Sequence, residues 1–304
     1  MKRKFYSNGK LLLSGEYLVL AGAEALAVPS RFGQSLEILA SEKAGISWKS
    51  IAVDDSIWYE DTFTISDIVQ FEDVSGENKN IRETLLNILK VAKQLNPSFL
   101  NDAKGYEVVS RLNFDRQWGL GTSSTLINNI AQWAEVDAFK LLDKSFGGSG
   151  YDIAAAQNDS PILYRIENGH PKIEKIKIHW NFTDKLFFVY LNRKQDSKEG
   201  INRFRLASVG VEHLQTISTI TRAILDTKDL TSFEQSLQKH EEFISEILKI
   251  PTIKKQLFSD YPNSIKSLGA WGGDFILAVG DEADRDYFRK KGYSTVLSYS
   301  EMVK

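Results

Sequence analysis

A chain of 304 residues is long enough for one large domain or two ordinary ones, because single hydrophobic cores stop growing near this size; two lobes are the default. The 38 Lys and Arg nearly balance 40 Asp and Glu, a formal net charge of -2, so no global field favours nucleic acid or an anionic membrane as partner. With no cysteine, disulfides, thiolate metal sites and a cysteine nucleophile are excluded, and a reducing, cytoplasmic setting is expected. The basic residues 1–4 give way to Ser7, Asn8, Gly9 and Lys10, too soon for the apolar core of a signal peptide. No stretch approaches the roughly 20 apolar residues of a membrane-spanning helix. A soluble protein is expected, monomer or homodimer.

In chain order, residues 11–28 hold three short apolar runs separated by Ser14-Gly15-Glu16 and Ala21-Gly22-Ala23-Glu24, which predicts strands joined by tight turns. Leu85, Leu86, Ile88, Leu89, Ala92 and Leu95 recur at helical spacing until Asn96-Pro97 stops them. Tyr106, Val108 and Leu112 suit a strand; after a glycine loop, Leu126, Ile127, Ile130, Ala131 and Ala134 line one face of a helix. Residues 161–166 and 172–178 predict a hairpin through Asn168-Gly169. Beyond it come a buried strand at 186–191, two or three amphipathic helices over 202–248, a strand at 275–279, a helix near 283–291 and a last strand near 294–299. The expected boundary lies near residue 180.

Three segments carry chemistry. Gly119-Leu120-Gly121-Thr122-Ser123-Ser124-Thr125 brings backbone close to a ligand and then opens a helix whose free amides and positive dipole end favour phosphate. No lysine follows the second glycine, so this is not the common P-loop; taken alone it also reads as a plain turn with Thr122 or Ser123 as helix cap. Lys10, before the run Leu11-Leu12-Leu13-Ser14-Gly15-Glu16-Tyr17, reads alone as a solvated charge. Asp152, in Gly147-Gly148-Ser149-Gly150-Tyr151-Asp152-Ile153-Ala154-Ala155-Ala156, reads alone as an acid favoured by a helix start.

Together and in this order, the three segments resemble the motifs of the GHMP kinases, and Glu16-Tyr17 and the segment from Ser149 to Ala156 are most similar to the phosphomevalonate kinase version. Ser267-Leu268-Gly269-Ala270-Trp271-Gly272-Gly273-Asp274-Phe275-Ile276 resembles the third family motif; without the family it is a tight turn before a buried strand. The resemblance implies an α+β, two-lobed GHMP-kinase fold: a mixed α/β ATP-binding lobe (residues 1–180), a ferredoxin-like α+β lobe (181–304), and an active site in the cleft between them.

It also implies ATP and Mg2+ as cofactors and a small metabolite as acceptor, mevalonate or phosphomevalonate first. Asp152 would orient or deprotonate the acceptor hydroxyl and Lys10 would neutralise charge near the transferring phosphate. The phosphates would lie on Gly119, Leu120, Gly121, Thr122, Ser123 and Ser124, with Ser123 touching the metal. The substrate would meet Glu16, Tyr17, Ser149, Gly150, Gly272 and Gly273. From the basic loop Arg193-Lys194-Gln195-Asp196-Ser197-Lys198, Lys194 and Ser197 would grip an anionic acceptor, although the loop also reads as a solvated turn. The four histidines show no metal-ligand spacing.

This chain departs from the family in three places. Asp115-Arg116-Gln117-Trp118 replaces a proline-led approach to the glycine loop, and Trp271 stands where small residues are usual. For the acidic magnesium ligand only Glu135, Asp137 and Asp143 are candidates. The alternatives are a GHMP kinase acting on homoserine or a sugar, and a non-catalytic ATP- or metabolite-binding protein.

Overall fold

Alternating exposure over residues 2–6 followed by continuous burial makes the chain's first strand, β1 (Lys2–Ser14), half wet and half core. The structure is a computed structural model that describes residues 2–72, 80–194, 197–205, 207–269 and 271–304, with backbone alone for residues 197–199. The described chain falls into two units. One comprises residues 1–9, 32–116 and 121–157, the other residues 10–31, 117–120 and 158–304. The boundary expected near residue 180 lies inside the second unit. The first two changes of unit fall at residues 9–10, within β1, and at residues 31–32, within β2 (Ala25–Ser41). Neither is a linker, so no shift in composition marks them.

In the first unit β2 pairs antiparallel with β5, and β5 parallel with β3 (Gly45–Ile51), which pairs antiparallel with β4 (Ile57–Phe63). The parallel pair, Trp48 opposite Val108, requires a long crossover. The chain supplies it as β4, α1 (Ile65–Gln70) and α2 (Ile81–Leu95) before β5 (Gly105–Leu112). α2 begins on a capping box in which the Asn80 side chain accepts from Glu83 N and the Glu83 carboxylate accepts from Asn80 N, both at 2.9 Å. α3 (Thr122–Ala134), α4 (Ala138–Ser145) and α5 (Tyr151–Gln157) complete the unit. Its core includes Trp48, Leu89, Tyr106, Ile127 and Trp133, and the Trp133 ring meets Phe99 and Tyr106 edge-on at 4.8 and 5.5 Å.

In the second unit the start of β2 pairs with β6 (Ile162–Glu167), which forms a hairpin with β7 (His170–Lys175). Asn168 and Gly169 turn it with φ of 53 and 76°, the two positive values of a type I′ turn. The predicted strand over 17–20 is instead a 3-10 turn, Leu18–Ala21. Here the chain folds back so tightly that a Cβ on Gly15 would lie 2.7 Å from that of Ala25, leaving no room for an extended run.

A second sheet of four antiparallel strands has the order β11-β8-β10-β9. Its strands and helices follow in sequence as β8 (Leu186–Tyr190), α6 (Ser197–Arg205), α7 (Val211–Asp226), α8 (Leu230–Leu248) and α9 (Ile253–Leu257), then β9 (Ile265–Ser267), β10 (Phe275–Val279), α10 (Glu282–Lys290), β11 (Val296–Ser298) and α11 (Tyr299–Met302). β8 and β10 are buried on both faces, which is why they read as continuous apolar runs. Among the described residues no helix is long and apolar enough to cross a membrane.

Candidate active site

The glycine loop is held at both of its halves. In the second unit, Lys10 N donates to Leu120 O at 3.0 Å and the Lys10 ammonium donates to Gly119 O at 3.2 Å, so one residue fixes the loop by backbone and side chain together. Gly119 has φ 67°, and a Cβ there would lie 2.3 Å from the carboxyl of Asp274; only glycine fits. Trp118, part of the unusual approach, packs edge-on against Phe275 at 5.5 Å. The third motif thus braces the loop through Asp274 and Phe275. Asp274 holds φ 53°, a left-handed conformation that aspartate adopts more readily than most residues with a Cβ.

In the first unit, Gly121 is the N-cap of α3 with φ 90° and no side chain caps the helix. Ser124 Oγ donates to Gly121 O at 2.9 Å and Thr125 Oγ1 to Gln34 Oε1 at 2.6 Å, so these hydroxyls turn inward while Ser123 is exposed. The first-turn amides of α3 are therefore left without a side-chain cap.

A buried polar chain fixes α3. Gln157 Nε2 donates to Asn128 Oδ1 (2.9 Å), Asn128 Nδ2 to Ser7 Oγ (2.8 Å), Ser7 Oγ to Asn129 Oδ1 (2.8 Å), and Asn129 Nδ2 to Gln34 O (2.9 Å). Gln157 ends α5, whose first turn carries Asp152, half buried and placed where the helix dipole favours a negative charge. Asp152 and the uncapped start of α3 are therefore borne on two helices tied through one amide. On the approach to Asp152, Ser149 is half buried and Gly150 buried. A Cβ on Gly147 or Gly148 would meet nothing within 4 Å, so that approach borders open space.

Glu16 and Tyr17 lie inside the second unit. Glu16, 1% exposed, contacts the Lys266 ammonium through Oε1 and lies 2.9 Å from His240 Nε2 through Oε2. Gly15 N donates to the same nitrogen at 3.2 Å. Burial alone would push the Glu16 carboxyl up, but Lys266 and then His240 outweigh it and hold it at about 2. Burial, then Lys266, pushes His240 down. The adjacent Glu241 carboxyl accepts from Ser267 N and meets Ser267 Oγ, both at 3.0 Å, and burial pushes it up to about 8. Tyr17 Oη accepts from Trp271 N at 3.1 Å, joining first and third motifs. This cluster anchors the Gly15–Tyr17 turn, so Glu16 acts by placing Tyr17.

The remaining sequence-predicted residues are less engaged. Gly272 has φ 106° and is half buried, Gly273 is buried and Lys194 is exposed; the Ser197 side chain lies outside the described residues, as do Gln195, Asp196 and Ala270. Among the described residues no group of three His, Asp or Glu is arranged to hold a metal. Glu135 is the C-cap of α3, about 18 Å of helix from Ser123. Asp137 is spent capping α4, accepting from Phe139 N and Lys140 N, and Asp143 is exposed on that helix. An acid beside Ser123, which a magnesium site ordinarily uses, is not supplied by Glu135 or Asp137. Sequence reasoning missed Asp274, Lys266, His240, Glu241, Gln34, Asn128 and Gln157; the one signal was a lysine between Ile265 and Ser267 in an otherwise buried strand.

No protein-family model and no curated protein matches the sequence. Solved structures do match. Mevalonate kinase from Methanococcus jannaschii superposes with a TM-score of 0.71 over 98% of this chain and 97% of its own, at 16% identity. Phosphomevalonate kinase from Streptococcus pneumoniae, in complex with phosphomevalonate and AMPPNP, gives 0.68 over 96% of each at 14% identity. Galactokinase from Lactococcus lactis, complexed with galactose, gives 0.67 over 95% of this chain and 88% of its own at 13% identity. The chain has the mixed α/β fold of the GHMP small-molecule kinases.

Proposed function

We propose that this protein is an ATP-dependent phosphotransferase acting on a small anionic metabolite, mevalonate or phosphomevalonate. The observation that carries the reading is the Lys10 ammonium 3.2 Å from the Gly119 carbonyl, next in sequence to a helix start that no side chain caps. A cation held on the glycine loop, with uncapped amides next in sequence, suits phosphoryl transfer, which asks a protein mainly to position the reactants and spread negative charge.

In this reading the amides of residues 121–124 hold the ATP phosphates and Lys10 offsets their charge. The acceptor oxygen attacks the γ-phosphorus, the bond to the β-phosphate oxygen breaks, and ADP leaves. When the acceptor is a hydroxyl, Asp152 takes its proton; a phosphate acceptor needs no such step. Metal accompanies ATP as part of the substrate complex, and no role is assigned to Glu135, Asp137 or Asp143. The nucleotide is assigned to residues 1–180.

The test is ADP release from purified protein with ATP and magnesium against mevalonate, phosphomevalonate, homoserine and galactose, the last because a galactokinase shares the fold. Acceptor-dependent ADP release with one of the first pair, reduced about 10²- to 10⁴-fold in Asp152→Asn, supports the proposal. Turnover with galactose or homoserine alone would replace its substrate. Nucleotide binding without acceptor-dependent release would make the chain a binding protein.

A further inference from the structure

α8 turns a stripe of Phe233, Leu237, Ile244 and Leu248 to the interior, and His240 and Glu241 stand in the middle of that stripe at 0% and 3% exposure, where apolar residues are the rule. His240 Nε2 accepts from Gly15 N at 3.2 Å and lies 2.9 Å from Glu16 Oε2. The first neighbour is a donor and needs a bare nitrogen; the second is a carboxylate oxygen and needs a protonated one. One nitrogen cannot serve both at once. With Gly15 bonded, Glu16 Oε2 and His240 Nδ1 are buried without a hydrogen-bond partner, so the contact is satisfied in one half only.

The turn on the other side of this contact is strained. Leu18 N donates to Glu16 O at 2.7 Å across Tyr17, whose φ of 62° and ψ of -49° belong to the rare form of the three-residue turn. Such a conformation lasts only where its surroundings impose it. Gly15 N is tied to His240, and Tyr17 Oη accepts from Trp271 N. The titratable groups around the ring are Glu16 and Tyr17 on the turn, Lys266 on β9, which contacts Glu16 Oε1, and Glu241, next to His240 on α8. α7 brings Thr221, which does not titrate and lies 2.7 Å from Ser14 Oγ through its own hydroxyl.

We infer that His240 is a positioning residue that acts as a proton switch on this turn: bare at Nε2 it holds Gly15 and the strained Tyr17 conformation, and protonated there it releases Gly15, donates to Glu16 Oε2 and lets the turn relax away from Trp271. The proton comes from solvent, and the ring becomes an imidazolium opposite the Glu16 carboxylate. Burial and then Lys266 work against that cation and outweigh Glu16, which favours it. The bare form therefore holds at neutral pH, and acid below the ordinary imidazole value of 6.5 throws the switch. Its consequence for turnover rests on the kinase reading, in which Tyr17 meets the acceptor; the switch itself does not.

The experiment uses no nucleotide, so its failure would leave the kinase reading where it stands. Protein carrying isotope-labelled histidine and fluorotryptophan is titrated from pH 8 to 5 by NMR. The His240 signal is assigned by replacing His170, His179 and His213 in turn, and the Trp271 signal by Trp271→Phe. Nε2 should be bare at pH 8 and gain its proton below pH 6.5, with the Trp271 fluorine signal shifting at the same midpoint. Protection of the Gly15 amide against hydrogen exchange, corrected for the intrinsic rate, should fall about tenfold or more across that midpoint, the loss of one hydrogen bond. His240→Gln carries donor and acceptor on separate atoms, so it should keep Gly15 protected throughout and abolish the Trp271 shift. A nitrogen already protonated at pH 8, a His240 that does not titrate before the protein unfolds, or a Trp271 signal and Gly15 amide that ignore its titration would each overturn the inference. If His240→Gln fails to fold, the wild-type titration decides alone.

Discussion

Glu241→Gln should stabilise this protein at alkaline pH. Glu241 is 3% exposed, and burial raises its carboxyl from an ordinary 4.5 to about 8. Below pH 4.5 the folded and unfolded states both hold the proton. Between pH 4.5 and 8 the unfolded chain has lost it and the native one has not, so stability falls as pH rises, and above about 8 the slope vanishes. The full displacement corresponds to about 5 kcal/mol, a large part of a typical domain's stability. Glutamine copies the protonated form, offering an oxygen to Ser267 N and an amide to Ser267 Oγ.

Urea unfolding followed by circular dichroism from pH 5 to 8.5 gives the two stability curves. His240 acts with the opposite sign: its lowered folded value stabilises above pH 6.5, and that contribution is lost as pH falls. It is present in both proteins and cancels in their difference. That difference should be small at pH 5 and grow to several kcal/mol by pH 8 in favour of the variant. A difference flat to within about 1 kcal/mol across the range would show that Glu241 is ionised in the fold and refute the argument.

Lys266→Met strands the buried Glu16 carboxylate and should cost about 3–5 kcal/mol, and adding Glu16→Gln should recover most of it; equal losses in single and double variants, by urea unfolding, would contradict the pairing. Gly119→Ala forces a side chain onto Asp274 at a φ of 67° and should weaken binding of a fluorescent ATP analogue about tenfold or more; unchanged affinity would mean that the loop does not touch nucleotide. Asn128→Leu leaves the Gln157 amide without its acceptor, while Ser7 still donates to Asn129, and should cost about 1–3 kcal/mol, measured by urea unfolding. A neutral effect would mean that water replaces the asparagine.

What was legible in the sequence followed apolar period and turn chemistry. α2 occupies the residues that its leucines and Asn96-Pro97 delimit, and the Asn168-Gly169 hairpin and buried β8 and β10 stand where predicted. Residues 33–80 received no prediction, although β3 and β4 lie there, because short strands with mixed burial carry weak alternation. The site divided in the same way. Glycines and a helix start are local signals, so the glycine loop and the start of α3 could be read; Lys266 and His240 are polar residues whose buried partners, Glu16 and Gly15, lie more than 200 positions away, and Glu241 meets Ser267 26 positions on.

The misread residues share a physical cause that bears on function. α3 buries Asn128 and Asn129 at 2% and 0% exposure, on a side of the helix that polarity alone assigns to solvent. An apolar residue at either position would bury surface without directional bonds, and the helix would tolerate small rotations. Amides allow few orientations, because each departure leaves a buried donor or acceptor unpaired at about 1–3 kcal/mol. The Glu16–Lys266–Glu241 cluster imposes the same restriction on the turn that carries Tyr17. Net stability from such groups is small, whereas the resistance to displacement is large, and an uncapped helix tip has use for the second property more than the first.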